Sequence, residues 1–232
     1  MKYEHVIQGK FAVRQNRFIA QVWIGGRLET VHVKNTGRCK ELLLPGAEVI
    51  LAVSDNPKRK TKYDLIGVYK EKLGWVNIDS LAPNKVVGEW LAQQDYSYIK
   101  PEYMYGESRI DFYMEQDGKK YLMEVKGCTL ELGGRGFFPD APSERARRHV
   151  KELVKAVHNG YHSIIAFVIP MEGVTEVLPN LTVDPGFGEA LREAEKAGVA
   201  IWYFPCFVTE KTLDIRERLI RGNVLPETEN DS

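Results

Sequence analysis

The stretch that decides the fold reads SRIDFYMEQDGKKYLMEVK, from Ser108 to Lys126. Polar and apolar residues alternate on both sides of the dipeptide Asp117-Gly118. Asp-Gly favours a two-residue type I′ turn, because both central residues of that turn need positive φ. The sequence therefore predicts a β-hairpin in which Gln116 pairs with Lys119.

This register places two carboxylates opposite each other, those of Asp111 and Glu124. The other face of the hairpin would carry two apolar pairs, Phe112–Met123 and Ile110–Val125. Facing carboxylates about 5 Å apart at Cβ repel one another unless something lies between them. We therefore expect a divalent cation at this point, because hard metals such as Mg²⁺ take oxygen ligands and keep waters for a substrate.

Lys126 lies two residues beyond Glu124, on the same face of the strand. An ammonium group beside a metal-bound water can hold or deprotonate that water and offset charge at a phosphorus centre. The alternative is a surface hairpin that carries ordinary charges, since Glu-x-Lys is a common pattern. Both interpretations stay open on these residues alone.

Composition and charge are those of a globular protein of 232 residues, a length that suits two modest domains. The formal net charge is zero, but residues 1–62 hold 12 Lys/Arg and 5 Asp/Glu, a surplus of 12 − 5 = 7. A basic N-terminal part suggests a polyanionic partner. A basic face that merely aids solubility is the alternative.

Cysteine usage and hydropathy indicate the compartment. Cys39, Cys128 and Cys206 are widely spaced and form no C-x-x-C pair, which argues against a disulfide framework or a zinc site and for a reducing cytosol. The N-terminus lacks the apolar region of a signal peptide, and no stretch approaches the roughly 18 apolar residues of a membrane span. We expect a cytoplasmic protein with no membrane partner.

Residues 1–80 look all-β, with short β-prone runs separated by turn dipeptides such as Gly25-Gly26. Several short strands in so few residues predict a small closed barrel, for which the oligonucleotide-binding (OB) barrel is one candidate. A short helix is expected at Cys39–Leu44. Trp23 and Trp75 fall in strand patterns and are expected in the core.

The segment around Asn35-Thr36-Gly37 is the candidate anion site of this barrel. These residues can expose backbone N–H groups ahead of a helix, where anions bind well. Arg38 and Lys40 would contact phosphates nearby, and the predicted nucleic-acid surface also includes Arg14 and Arg17. The alternative is a turn that simply caps a helix.

From residue 83 onward the predicted order is helix, three strands, helix, strand, helix, strand. An antiparallel hairpin that leads into parallel crossovers gives a mixed sheet with helices on both faces. The second helix is expected at Glu144–Asn159, with Ser143 as its N-cap. The glycine-rich segment from Gly133 to Gly136 matches no phosphate-binding pattern, and we expect a mobile loop there.

This order of elements, with Asp111 and Glu124-x-Lys126 on neighbouring strands, resembles the core of the PD-(D/E)XK restriction-endonuclease-like superfamily. Over the whole chain, several motifs resemble the sugar fermentation stimulation protein (SfsA) family: Asn35-Thr36-Gly37-Arg38, Ser108-Arg109-Ile110-Asp111-Phe112, Glu124-Val125-Lys126-Gly127 and Phe138-Pro139-Asp140-Ala141-Pro142. The resemblance implies a prokaryotic DNA-binding protein, with an OB-like barrel over residues 1–82 and a nuclease-like domain over 83–232.

Two functions then remain. As an enzyme, the protein would hold Mg²⁺ or Mn²⁺ with Asp111, Glu124 and the Val125 carbonyl. Lys126 would position the attacking water. Glu144 would lie among the residues that surround the metal ligands, without binding the metal itself. As a non-catalytic regulator of sugar (for example maltose) utilisation genes, the protein would grip DNA with the basic barrel and with two arginines of the second helix, Arg145 and Arg148. Single-stranded DNA or RNA could fill the same groove, and a homodimer is possible.

Overall fold

The computed structural model describes residues 1–35 and 37–221 of the chain. They form an N-terminal β-barrel and a C-terminal mixed sheet with helices, as the sequence predicts. Within the described residues, no helix has the length and apolar character that a membrane crossing requires. The predicted domain boundary after residue 82 falls at the first helix, whose first residue is Ala82.

Six strands build the N-terminal part: β1 (Val6–Arg14), β2 (Ile19–Ile24), β3 (Arg27–Val33), β4 (Glu48–Val53), β5 (Tyr63–Lys70) and β6 (Gly74–Asn77). Antiparallel pairing gives the order β3-β2-β1-β4-β5, and a parallel pairing of β3 with β5 closes the barrel. β6 adds to β5 outside the closed ring. This five-stranded closure is that of an OB barrel.

The tight curvature of β1 depends on Gly9. A Cβ atom at this position would lie 2.6 Å from Val22 Cγ1 and 2.9 Å from the Trp23 carbonyl oxygen. The pairing of β1 with β2 also shifts register between Phe11 and Val13, as at a β-bulge. Bulges and glycines let a strand bend around a small barrel, so both features serve closure.

Two predictions for the barrel are wrong. Residues 39–44 form turns instead of a helix, because Cys39 has a φ of +45° and its carbonyl accepts from both Leu42 and Leu43. Trp23 does not enter the core: its residue is 48% exposed and lies between Lys10 and Leu28 on the outer face. Trp75 is half-buried and meets Tyr69 edge to face.

The C-terminal part contains three helices and ten strands among the described residues: α1 (Ala82–Leu91), β7 (Tyr98–Tyr105), β8 (Ser108–Gln116), β9 (Lys119–Gly127), β10 (Leu130–Leu132), β11 (Arg135–Phe138), α2 (Glu144–His158), β12 (His162–Ile169), β13 (Val177–Pro179), α3 (Pro185–Ala197), β14 (Ala200–Val208), β15 (Leu213–Ile215) and β16 (Leu219–Ile220). The main sheet has the order β15-β14-β12-β9-β8-β7, with β16 also on β14. The strands β9, β12 and β14 are parallel, as the crossovers predict.

Helices cover both faces of this sheet, and β12 shows it best. Ile165 and Phe167 pack in the cluster that contains residues of α2 and α3, whereas Ile164 and Ala166 pack in the cluster that contains α1. A strand buried on both faces reads as a continuous apolar run, which explains the sequence of β12.

The predicted hairpin register is confirmed from Gln116–Lys119 to Phe112–Met123. Both residues of the Asp117-Gly118 turn have positive φ, 50° and 73°. The hydrogen-bonded ladder ends at Phe112, and this end positions Asp111.

The predicted pairing of Ile110 with Val125 is wrong. Ile110 packs in the cluster on the α2 face, and Val125 packs in the cluster on the α1 face. The strand alternation therefore breaks at Asp111. On the neighbouring β7, Glu102 has a φ of +52° at the same level, so both strands deviate together.

The glycine-rich segment that was expected to be mobile is a tight hairpin. Gly133 and Gly134 form the turn with φ of 61° and 83°, and Leu132 pairs with Arg135 across it. β11 continues into a parallel pairing with β13, so this small sheet extends the fold beside the barrel.

Candidate functional site

Asp111 is fixed by hydrogen bonds to both of its carboxylate oxygens. Asn84 Nδ2 in α1 donates to Oδ1 at 2.6 Å, and the backbone N–H of Val125 donates to Oδ2 at 2.8 Å. The side chain thus takes the place of a ladder bond where the strand alternation breaks. Burial raises the pKa of Asp111, and the charge of nearby Glu124 raises it further.

Glu124 is the most enclosed charged group of the hairpin, with 2% of the residue exposed. Lys126 Nζ donates to its Oε1 at 2.6 Å, and His149 Nδ1 contacts the same oxygen. Burial alone would raise the pKa of Glu124, but the His149 hydrogen bond and the Lys126 charge outweigh it and hold the pKa below its usual value. The Lys126 ammonium group and His149 both contact this carboxylate, which favours its ionised form.

The two oxygens of Glu124 differ sharply. Oε1 has two donors, whereas Oε2 is buried and has no hydrogen-bond partner among the described residues. Buried polar atoms are normally paired with a donor, an ordered water or a cation. The one unpaired oxygen of an ionised, buried carboxylate is therefore a place where a cation would be stabilised.

The donor set fits a hard divalent cation. Asp111 and Glu124 are close enough that the charge of one raises the pKa of the other. The described residues contain no group of three or more His, Cys, Asp or Glu side chains that could hold a metal. A cation here would need backbone or water oxygens as further ligands, which suits Mg²⁺ better than a structural zinc ion.

A cavity of about 220 Å³ lies beside this site, between the barrel and the C-terminal sheet. From the sheet side it is lined by Asn84, Val125 and Lys126, and from the barrel side by Asn35 and Asp79. The Lys126 side chain is 12% exposed. Lys126 therefore stands where the buried acidic site (Asp111, Glu124, Lys126 and their partners) meets the interdomain cavity.

Glu144 lies away from these groups. Its side chain is 95% exposed, and its ion pair among the described residues is with Arg147 at 4.0 Å. Ser143 caps α2 as predicted, because its Oγ accepts from the Ala146 N–H at 3.2 Å. The residue of α2 that reaches Glu124 is His149, which the sequence interpretation missed.

A signal for His149 is present in the sequence. Ala146, Val150 and Leu153 form the buried stripe of α2, and His149 lies among them at helical spacing. A polar residue inside an apolar stripe needs a partner, because an unpaired buried polar group is costly. The strand opposite supplies that partner as Glu124.

Four of the predicted nucleic-acid-binding residues line one surface cavity of about 590 Å³, which we call the basic cleft: Arg14, Arg17, Arg38 and Lys40. Arg17, Arg38 and Lys40 are exposed. Gly37 lines both the basic cleft and the interdomain cavity, so the two cavities are neighbours.

Arg14 has a different role from the other cleft residues. Its five N–H donors all bond to backbone carbonyls, at 2.7 to 3.2 Å, in the two loops that border the cleft: Asn16, Arg17, Asn35, Gly37 and Arg38. Arginine has five donors in total, so none is left for a phosphate in this conformation. Arg14 holds the loops in place and contributes its charge to the cleft.

The turn at Asn35-Thr36-Gly37 does not expose the free N–H groups that an anion would need. The Gly37 N–H donates to Asn35 Oδ1 at 2.7 Å, and the Arg38 N–H donates to Asp140 Oδ2 at 2.9 Å. The prediction of a backbone anion site is therefore wrong for these two groups. Asn35 also donates to the Ile78 carbonyl, and Thr36 lies outside the described residues.

Arg145 and Arg148 are exposed on α2 and do not line the basic cleft. Among the described residues, neither forms an ion pair. Their helix carries His149 on its buried side, so the two arginines form a second basic patch separate from the barrel loops.

Comparison with known families agrees with both halves of the fold. The family model for the SfsA N-terminal OB domain matches residues 13–78, and that for the sugar fermentation stimulation protein RE domain matches residues 81–212. The chain belongs to the SfsA family.

Relatives in this family are similar over almost their whole length. The sugar fermentation stimulation protein homolog of Clostridium beijerinckii is 48% identical over 221 residues, covering 94% of this chain and 97% of that protein. The homolog of Desulfitobacterium hafniense is 48% identical over 229 residues, covering 96% and 100%. The solved structure of Pyrococcus furiosus SfsA in complex with Ca²⁺ is 30% identical with a TM-score of 0.83, covering 94% and 96%.

Proposed function

We propose that this protein binds DNA and hydrolyses phosphodiester bonds with the help of Mg²⁺ or Mn²⁺ held at Asp111 and Glu124. The observation that carries the proposal is the unpaired, buried Oε2 of the ionised Glu124, next to a second carboxylate. The Pyrococcus furiosus relative is a complex with Ca²⁺, which takes oxygen ligands as Mg²⁺ does.

The residues of the acidic site have distinct tasks in this proposal. Asp111, Glu124 and the Val125 carbonyl would hold the cation, which when bound polarises a phosphoryl oxygen and lowers the pKa of a water molecule. Lys126 faces the interdomain cavity, where its ammonium group can orient a water or offset charge on the phosphate. Asn84 fixes the orientation of the Asp111 carboxylate.

The basic cleft would bind the DNA backbone. Arg17, Arg38 and Lys40 are exposed side chains beside the interdomain cavity, and cationic side chains bind phosphates with little dependence on sequence. Arg14 supports these contacts by holding the loops, and Arg145 and Arg148 would add contacts on α2. We also propose a cytoplasmic location, since the three cysteines are free and buried.

Nicking of DNA tests the enzymatic part. Supercoiled, linear and single-stranded DNA are incubated with the pure protein in Mg²⁺, Mn²⁺ or EDTA. We expect nicking that needs the metal and that is lost in Asp111→Asn, whose amide keeps the size of the carboxyl group but not its charge. Nicking that persists at wild-type rate in Asp111→Asn would contradict the assignment and point to a contaminating nuclease.

A second candidate is a non-catalytic DNA-binding regulator of sugar-utilisation genes. It is favoured by the internal partners of the acidic groups, because Asn84 and His149 already contact them and Lys126 offsets part of their charge. A retained gel shift with no cleavage under any metal condition would support this function. Competition among duplex DNA, single-stranded DNA and RNA of equal length identifies the preferred nucleic acid.

A further inference from the structure

His149 is a buried histidine that contacts the acidic site from the helix side. Its residue is 3% exposed, and Nδ1 contacts Glu124 Oε1. An ionised carboxylate can only accept a hydrogen bond, so Nδ1 carries the proton in this contact. The histidine therefore donates to the oxygen that also accepts from Lys126.

The two donors on Oε1 hold the Glu124 carboxylate in one orientation. The last side-chain torsion of a glutamate has broad preferences, so an unsupported carboxylate could turn and carry both oxygens away from these positions. Two donors to the same oxygen, Lys126 from β9 and His149 from α2, oppose that turn and hold the plane of the carboxylate. Oε2 is consequently left without a hydrogen-bond partner among the described residues.

The helix itself is a rigid support for this contact. Ser143 caps its N-terminus, and Ala146 and Val150 are buried before and after His149. The ring of His149 is thus held by packing of α2 on the sheet and does not depend on a surface loop. Sites supported by regular elements hold their ligands more accurately than sites on loops.

We propose that His149 is a positioning residue that orients Glu124 so that Oε2 serves a divalent cation. The inference rests on the proposed function only in that it assigns a cation to the same carboxylates. Residues that hold a metal ligand in place typically change metal affinity by roughly 10- to 100-fold when they are replaced. No substrate contact is assigned to His149.

Mn²⁺ affinity, measured by isothermal titration calorimetry in the absence of DNA, tests the proposal. His149→Leu removes the donor, and we expect affinity to fall about 10- to 100-fold. His149→Asn places an amide N–H near the position of Nδ1 and should stay within about threefold of wild type. His149→Gln places its amide one bond farther along and should fall between the two. Glu124→Gln, which removes the charge of the ligand itself, defines loss of binding at this site.

Thermal unfolding of each variant separates positioning from folding. If His149→Leu does not fold, the comparison of His149→Asn with His149→Gln decides, since both keep a polar amide in the same pocket. Equal Mn²⁺ affinity in all folded His149 variants would overturn the positioning role. Wild-type protein that binds no Mn²⁺ in a Glu124-dependent manner would overturn both this inference and the proposed function. If the Mn²⁺ affinities of the variants follow the expected order but the protein never cleaves DNA, the nuclease proposal is wrong and the role of His149 stands.

Discussion

The acidic site and the basic cleft are neighbours, yet they are built in opposite ways. Asp111 and Glu124 are held by donors from α1, β9 and α2, and Glu124 is almost fully enclosed. Arg38 and Lys40 are exposed and lie on the segment between β3 and β4. Packing fixes distances in the first region, whereas charge density matters in the second. We therefore expect a single substitution in the acidic site to abolish most of its activity. Each substitution in the basic cleft should weaken DNA binding by a small step.

The largest expected effect is a loss of catalysis at Lys126 with little change in DNA binding. In Lys126→Met we expect the rate of metal-dependent nicking to fall by about 100-fold or more, because removal of one group that stabilises charge at the reacting phosphate typically costs 10²–10³-fold. Affinity for DNA should change less than about twofold, since Lys126 is mostly enclosed. Nicking assays and gel shifts on the same preparations measure both quantities.

Lys40→Met is the matched control, because it removes the same charge from an exposed position in the cleft. It should weaken DNA binding and leave the single-turnover nicking rate at saturating protein nearly unchanged. Equal effects of the two substitutions on nicking at saturation would show that the two regions are not functionally distinct.

The next effect concerns stability and involves Arg14. Arg14→Met leaves five backbone carbonyls without their donor, so we expect the free energy of unfolding to fall by about 2 kcal/mol. Arg14→Lys keeps the charge but cannot span the five carbonyls and should lose nearly as much. Urea denaturation measures the change, with Lys40→Met, expected within about 0.5 kcal/mol of wild type, as the control. A fully stable Arg14→Lys would show that charge alone, not the hydrogen-bond geometry, holds the loops.

Sequence patterns predicted the regular parts of both regions. The hairpin register came from one Asp-Gly turn, and the apolar run of β12 indicated a strand buried on both faces. The same alternation rule failed at Asp111, where the neighbouring strand β7 also departs from regular geometry, at Glu102. A rule that considers one strand at a time contains no information about irregularities that neighbouring strands share.

The sequence could not predict which group a side chain contacts when the fold brings several within reach. The sequence suggested that Arg14 contacts phosphate. In the fold, its N–H groups donate instead to carbonyls of the neighbouring loops. Glu144 was chosen because it begins α2, whereas the position that faces β9 lies more than one turn later, at His149. Trp23 lies in a strand pattern whose inner face is filled by Ala20 and Val22, and the pattern alone does not say which face is inner.

An ion pair of the barrel lies between these two extremes, because it uses a basic residue near the surface to stabilise the fold. Arg59 and His32 both contact Asp64, where β3 closes on β5. Burial alone would raise the pKa of Asp64, but these two partners outweigh it and keep the pKa below its usual value. A carboxylate with a lowered folded-state pKa stabilises the fold above its unfolded pKa, near 3.9, and this contribution is lost as pH falls through the folded pKa.

Asp64→Asn should therefore lower the free energy of unfolding by about 1–2 kcal/mol at pH 7, and the difference from wild type should shrink below about pH 4. Urea denaturation between pH 3 and pH 7 measures it. A difference that stays constant down to pH 3 would mean that the ion pair with Arg59 does not carry the effect.

The smallest effect is expected in the cleft, and salt dependence is the measurement that isolates it. Each phosphate contact that is lost should reduce the slope of log affinity against log salt by about 0.9 for duplex DNA. In the double variant Arg38→Ala, Lys40→Ala we expect the slope to fall by about 1.8, with the fold-change in affinity greatest at low salt.

The matched control for this prediction removes two exposed positive charges from α3, Arg192→Ala and Lys196→Ala. It changes the net charge by the same amount but leaves the cleft intact, so its slope should equal that of wild type. Equal slopes for the two double variants would mean that DNA responds to the overall charge of the protein and not to the cleft. A reduced slope in the cleft variant alone would place phosphates beside Gly37, at the entrance to the cavity that Lys126 lines.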